Sequence, residues 1–453
     1  MKIRISLREI FHLSWPQVLM MFFHFWVGFV DVLVAGRLGT NVQACIGLTT
    51  QTMFFFLIIG MALANGSVAA ITQSLGAGRR DRASRFIQLS LGLGLVFGVM
   101  VLVLGYVFLD NILAILHLPA LILPIGRYIL TVYLLTLPCY YLLVLTNAFF
   151  RASKMVKVPL LVMAVIALVN TLGDFGLGLG WWHWPNFGYK GLAWSTFLSI
   201  AIGVGLNFLI LFKTSLLNKF DLPSWKWIKK ALSYLIKVAW PSGTLQFVWH
   251  FGYVVIYGLV ASLPQKNIYA LAGMSAGIRI ESFLFLPAFA FNFTASILVG
   301  HLLGQNKLAE AKQAGYQVLK IGFGLISALV VLVLCFLKPI IHLLAPDPKV
   351  AVEAFDYLKY NLAAIFFLLV YMTLSGALLG AGATIYQLVV VFIATWLVRI
   401  PLAYVLGHVL LKTPAGIWLA MFFSMLIQAG LTFYVYQYKD WTRFKLRSKM
   451  IKN

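Results

Sequence analysis

Charge is what this sequence has least of. Only 10% of its 453 residues are Asp, Glu, Lys or Arg, while 62% are hydrophobic. An ordinary soluble domain is roughly a quarter charged and about half apolar, so this set cannot cover a water-facing surface. Cysteine is scarcer still. Cys45, Cys139 and Cys335 lie in or near apolar runs without metal-ligand spacing, which excludes a disulfide framework. A phosphate cradle is missing too: "QSLGAGRR" from Gln73 is glycine-rich, but no strand precedes it and the Lys-Ser/Thr ending is absent. The first apolar run carries Pro16, Gly28 and Asp31 with no small-residue cleavage site after it, so it reads as a retained helix rather than a cleaved leader.

What the sequence has instead is apolar length. Twelve segments of roughly 20 residues, centred from Phe22 to Ser424, are each long enough for a hydrocarbon core about 30 Å thick. The expected fold class is an all-α integral membrane protein with twelve transmembrane helices. A net charge of +23 could point to nucleic acid, but its distribution argues otherwise. With both termini placed in the cytoplasm, the inside segments hold 25 of the 35 basic residues and the outside ones hold six: Arg37, Lys190, Lys266, Lys338, Lys349 and Lys412. That asymmetry is the positive-inside pattern of an even number of spans, and it accounts for the basicity with no nucleic-acid partner. The tail "KDWTRFKLRSKMIKN" is expected to lie against anionic headgroups.

The chain repeats itself. "LSWPQVLMMFFHFWVGFVDVLVAGRLG" from Leu13 matches "VAWPSGTLQFVWHFGYVVIYGLVASLP" from Val238, with Pro16 and Pro241 opening the helix in each. "QSLGAGRRDRASR" is echoed by "GHLLGQNKLAEAKQ", and "GLAWSTFLS" at Gly191 by "GIWLAMFFS" at Gly416. The offsets are 225, about 228 and 225 residues. Six spans per half is an even number, so both halves enter from the same side as parallel repeats, a transporter architecture. The expected organisation is a six-helix lobe at 1–212, a cytoplasmic linker at 213–230, a second lobe at 231–437 and a basic cytoplasmic tail at 438–453.

Five collinear features resemble the multidrug and toxic compound extrusion (MATE) family. They are "SWPQ" with Asp31 fifteen residues after Pro16, "QSLGAG" after the second helix, Asn170-x-x-x-Asp174 in the fifth, "GLAWST" in the sixth, and "GIRIESFLFLPAFAFNFTASILVGHLLG" from Gly277. The resemblance implies two pseudo-symmetric lobes and no enzymatic activity. It implies a secondary active antiporter that exports lipophilic, often cationic organic compounds in exchange for Na⁺ or H⁺, with no cofactor beyond that coupling ion. The partners are then small organic substrates and the lipid bilayer, and the expected state is a monomer in a bacterial inner membrane. A lipid-linked oligosaccharide flippase of the wider superfamily is the alternative, and it calls for a strongly cationic cavity. A membrane-embedded enzyme is a third reading, but His24, His250 and His301 lack the spacing for it.

Ionisable groups inside a bilayer are costly and mark ion pathways. Asp31, Asp174 and Glu281 are the acids within the spans that this singles out. Glu281 has Arg279 two residues away, and Arg399 lies in the eleventh span; both suggest structural pairing. Asp31 and Asp174 have no base within one helical turn, and Asn170 faces the same way as Asp174 one turn earlier. The family pattern joins Asp31, Asn170, Asp174 and Thr196 into one cluster. Carboxylate, amide and hydroxyl oxygens are hard donors suited to Na⁺, and two close carboxylates in low dielectric cannot both stay ionised without a cation or proton between them. A satisfied interhelical hydrogen-bond cluster is the competing reading. Pro16 is the expected helix-bending residue, and Gln51, Asn147 and His24 are weaker candidates for a substrate cavity. Some family members carry a glutamate eight residues after the proline of helix seven and an aspartate in helix ten. Here those places hold Trp249, followed by His250, and an acid-free run, which puts the chain nearer the DinF-like branch with coupling in the first lobe.

Overall fold

The structure is a computed structural model that describes residues 6–116, 118–214, 216–217, 224–264 and 267–446. Parts of the expected linker (Ser215 and 218–223) and of the tail (447–453) lie outside the described residues, as do the basic residues Lys2, Arg4, Lys219, Lys266, Arg447, Lys449 and Lys452. In hydrocarbon each backbone N–H and C=O must be paired by the protein itself, and a continuous apolar run of about 20 residues does so within itself as a helix. Twelve helices among the described residues are long and apolar enough to cross a membrane. In chain order they are α1 Leu7–Leu38, α2 Thr40–Gly76, α3 Arg80–Val107, α4 Leu123–Ala152, α5 Lys157–Gly178 and α6 Tyr189–Lys213. The second six are α7 Trp225–Ala261, α8 Asn267–Gly304, α9 Leu308–Cys335, α10 Pro348–Gly380, α11 Thr384–Leu410 and α12 Pro414–Tyr438.

The helices form two compact units. One comprises 6–18 with Trp240–Leu446, the other Leu19–Ala239. Both division points lie beside the paired prolines, Pro16 inside α1 and Pro241 inside α7. In the first unit the start of α1 is fastened to α8: Thr294 Oγ1 accepts from Gln17 Nε2 at 3.0 Å and shares a hydrogen bond with Ser14 Oγ at 3.0 Å. In the other unit the start of α7 is fastened to α2 and α3. Trp227 lies 5.2 Å from the Phe86 ring, Gln73 bonds the Tyr234 hydroxyl at 3.4 Å, and Gly66 leaves room for the Leu235 carbonyl.

The repeat seen in the sequence reappears as backbone geometry. Four interhelical turns close with one residue in the left-handed region: Gly78, Lys154, Asn306 and Gly382. In each, the next N–H reaches back to the carbonyl five residues earlier, giving Arg79 to Ser74, Met155 to Phe150, Lys307 to Leu302 and Ala383 to Leu378. This is the Schellman closure, which satisfies carbonyls that the helix end leaves orphaned. Gly78 and Asn306, like Lys154 and Gly382, stand 228 residues apart. In the first of these turns the buried Arg82 also donates from Nε to Ser74 Oγ at 2.8 Å.

Small residues set the closest helix approaches. A Cβ on Gly376 would overlap the carbonyl of Asn292, one on Gly380 the carbonyl of Ser296, and one on Gly277 the ring of Tyr357, so α8 and α10 meet along glycines contributed by both. The described part of the tail folds onto its own unit. Trp441 is buried and stacks 5.0 Å from Tyr436, and Arg443 donates to the Tyr386 hydroxyl at 2.8 Å. Asp440 caps that turn, and the hydrogen bond from the Thr442 hydroxyl, at 2.6 Å, holds its carboxyl below the usual carboxylate range.

Gly376→Ala should lower the thermal midpoint of the detergent-purified protein, at a cost of about 1–3 kcal/mol for forcing a methyl into a filled contact. Gly430→Ala, on an exposed face with open space around it, should leave the midpoint unchanged or raise it.

Candidate cation site

The site is built where α1, α4, α5 and α6 converge within the Leu19–Ala239 unit. α5 does not keep one pitch. It is α-helical through Gly173 and then widens to a π-helical turn over Asp174–Gly178, a local form that recurs at functional positions. Glycines let the neighbours close on that turn. A Cβ on Gly173 would overlap the Ser195 hydroxyl, one on Gly191 the carbonyl of Leu177, and one on Gly178 would press on Leu192 and Val34. α1 is held to α5 by the Trp26 indole, which donates to Thr171 Oγ1 at 3.1 Å, and by Asn170 Nδ2, which donates to Asp31 Oδ1 at 3.2 Å.

Asn170 and Asp174 are fully buried, and Asp31 is half-buried. Ser195 Oγ donates to the Asn170 carbonyl at 2.9 Å, fixing the last α-helical turn before the widening. The Asp174 side chain faces the Asp31 carboxyl and the Ser195 hydroxyl, and no base is among the groups that act on either carboxyl. Three buried oxygens here accept no hydrogen bond: Asn170 Oδ1 and both carboxylate oxygens of Asp174. Buried acceptors are almost always paired, because desolvating one without a partner costs several kcal/mol for a neutral group and more for a carboxylate. Three buried acceptor oxygens left without a donor are complementary to a small hard cation, or to a proton shared between the two aspartates.

The structure thus brings Asp31, Asn170 and Asp174 together. Thr196 is half-buried beside them. Its hydroxyl bonds back to the Leu192 carbonyl at 3.2 Å and meets the Tyr133 hydroxyl. Tyr133 of α4, within electrostatic reach of both aspartates, and Ser195 were not singled out from the sequence. Ser195 could have been found, since Gly173 sits where a serine hydroxyl must be accommodated and "WST" offers two hydroxyls on successive helix positions. Tyr133 carries no comparable signal, being one aromatic in an apolar run. His24 and Gln51 are exposed and stand outside the cluster. Asn147 is buried in a separate α4–α6 contact, where its Oδ1 accepts from Asn207 Nδ2 at 2.9 Å. At the end of the π turn Arg37 lies over the rings of Phe175 and Trp181, at 5.7 and 5.5 Å.

Glu281 and Arg399 belong to the other unit. Arg279 is exposed while Glu281 is buried, because residues two apart on a helix point to different faces, so the neighbouring base in sequence is not the partner. Glu281 instead accepts from the Tyr357 hydroxyl at 2.8 Å and lies within electrostatic reach of Arg399.

The comparisons with known proteins point to one family. The profile of the MatE family matches residues 16–175 and 241–405. The probable multidrug resistance protein NorM of Thermotoga maritima is 25% identical over 452 residues, which is 96% of this chain and 93% of the relative. The multidrug resistance protein PmpM of Pseudomonas aeruginosa is 24% identical over 427 residues, 90% of this chain and 85% of the relative. Among solved structures, a crystal structure of MATE in complex with MaL6 superposes with a TM-score of 0.88 at 18% identity, covering 97% of each chain.

Gly173→Ala would drive Ser195 away from Asn170 without removing any oxygen of the cluster. Cation affinity, read by titrating Na⁺ or protons against intrinsic tryptophan fluorescence, should fall about tenfold, the lower end of what the loss of an orienting contact costs at an ion site.

Proposed function

The chain belongs to the MatE family, and from that premise we propose that it is a secondary active antiporter that exports lipophilic, often cationic organic compounds in exchange for Na⁺ or H⁺. The observation that carries the coupling half of this reading is the pair of buried, unpartnered Asp174 oxygens facing Asp31. The names of the relatives support the export half. In this reading the protein works as a monomer in a bacterial inner membrane with both termini cytoplasmic, and 1–212 and 231–437 are the two copies of one ancestral six-helix lobe. Trp249 in α7 and the acid-free stretch of α10 from Asn361 to Gly380 favour coupling through the first lobe, as in the DinF-like branch. Only Arg82 and Arg399 are buried bases among the described residues, which does not suit the oligosaccharide flippase.

Exchange requires that cation and substrate favour different states, because a ligand shifts an equilibrium only through its differential affinity. A cation between Asp31 and Asp174 cancels their repulsion and draws α1 onto α5; without it, the like charges push α1 away. Pro16 gives α1 a place to bend, since it removes one backbone hydrogen bond inside the helix beside the point where its compact unit changes. Asp31, Asn170, Asp174 and Thr196 supply the oxygens, while Ser195 and Tyr133 hold them in position.

Ethidium efflux from proteoliposomes with imposed Na⁺ and pH gradients tests the reading. Asp31→Asn and Asp174→Asn should each lose nearly all export while expression persists. Asn170→Ala and Thr196→Ala, which remove one neutral oxygen each, should weaken cation affinity about 10- to 100-fold and recover in part under a steeper gradient. Wild-type efflux by Asp174→Asn would place the coupling ion elsewhere. Pro16→Ala should leave membrane abundance intact and slow export; an unchanged rate would remove the bending step.

A further inference from the structure

The two halves can be placed in register by packing rather than by sequence alone. In the first, Gly191 of α6 admits the carbonyl of Leu177, and Gly178 meets Leu192. In the second, Gly416 of α12 admits the carbonyl of Leu406, and Gly407 meets Ile417. α12 therefore follows α6 by 225 residues, whereas this part of α11 follows α5 by 229. On that register Asn170 corresponds to Arg399 and Asp174 to Ala403, while the offset of the paired prolines carries Asp31 to Ile256. Ile256, Ala403 and Arg399 are all fully buried. Where one half has two carboxylates and an amide, the other has two apolar side chains and a guanidinium.

That guanidinium is not idle packing. Its Nε donates to Ser424 Oγ at 2.7 Å, and its Cζ lies 5.6 Å from the centre of the Tyr253 ring. Nη1 and Nη2, fully buried, meet no acceptor in hydrogen-bonding geometry. The groups facing Glu281 are the hydroxyl of Tyr357 from α10, Tyr253 from α7 and Arg399 from α11; Arg399 is the sole fixed charge among them.

We propose that Arg399 is a tethered counter-cation for Glu281, filling in the second half the role that an exchangeable cation fills in the first, so that this half carries its cation permanently and takes no part in ion exchange. A guanidinium does not deprotonate in proteins and cannot diffuse away, so the charge beside Glu281 is constant whatever the Na⁺ concentration or pH. The inference rests on the reading of the Asp31–Asp174 cluster as the exchangeable site.

The experiment counts cations on purified full-length protein, as radiolabelled Na⁺ bound at alkaline pH and, in Na⁺-free buffer, as protons taken up on acidification. Wild type should show a binding event that Asp174→Asn abolishes; if it shows none, the exchangeable-site reading fails first. Given that event, Arg399→Gln should add a further cation per chain, raising the Hill coefficient for cation-driven efflux from about 1 toward about 2. Arg399→Lys, which keeps a fixed cation, and the double variant Glu281→Gln/Arg399→Gln, which removes both charges, should return to the wild-type count. If Arg399→Gln is too unstable to purify, its membrane abundance should be restored by adding Glu281→Gln and by replacing Gln with Lys. An unchanged count in Arg399→Gln, or a loss of abundance that neither substitution restores, would overturn the proposal.

Discussion

Everything in this molecule follows from one constraint: in the hydrocarbon interior no water is available to satisfy a polar group, so each must be answered by the protein itself. The backbone answers with twelve helices, and the helix ends answer with the repeated left-handed closure at Gly78, Lys154, Asn306 and Gly382. Side chains answer locally as well. Hydroxyls of Ser14, Thr49, Ser67, Thr72 and Ser74 bond the carbonyl one turn back. Among the exceptions are both carboxylate oxygens of Asp174, buried without a hydrogen-bond donor, and a carboxylate left that way is suited to a cation.

The two halves meet the same constraint differently. Both use the same frame: a proline in the opening helix, a glycine admitting the carbonyl of the facing helix, and a departure from α-helical pitch in α5 and α11. One places carboxylates in that frame, with both oxygens of Asp174 left without a donor. The other places a guanidinium within electrostatic reach of a glutamate. The two copies share a scaffold and differ in the charge that a few side chains place on it.

Much of this was legible in the sequence. The twelve spans follow from apolar length, and the repeat follows from three pairs of segments whose turn residues cannot be varied freely. Asp31, Asn170 and Asp174 were legible because a carboxylate in an apolar run is too costly to be incidental. The partners that position them were not. Ser195 acts through a packing contact with Gly173, and Tyr133 arrives from a helix nearly forty residues away in sequence, so neither leaves a local pattern. Pairing Glu281 with Arg279 is natural along a chain, but helix geometry sends the two to opposite faces and brings in Arg399 instead. The widened turns of α5 and α11 also escape the sequence, since apolar composition is indifferent to whether a turn closes over four residues or five.

The division of α1 and α7 between the compact units bears on ancestry. A chain cut within 213–230 would not release two self-sufficient pieces. The first product would carry 6–18, which packs with Trp240–Leu446, and the second would carry the start of α7, which packs with Leu19–Ala239. Exchange of an identical terminal element between like subunits is the hallmark of a domain-swapped dimer, here written into one polypeptide. In a half-length chain with this arrangement, the start of each opening helix would lack the unit it packs with, so each half lends the other a segment of its core.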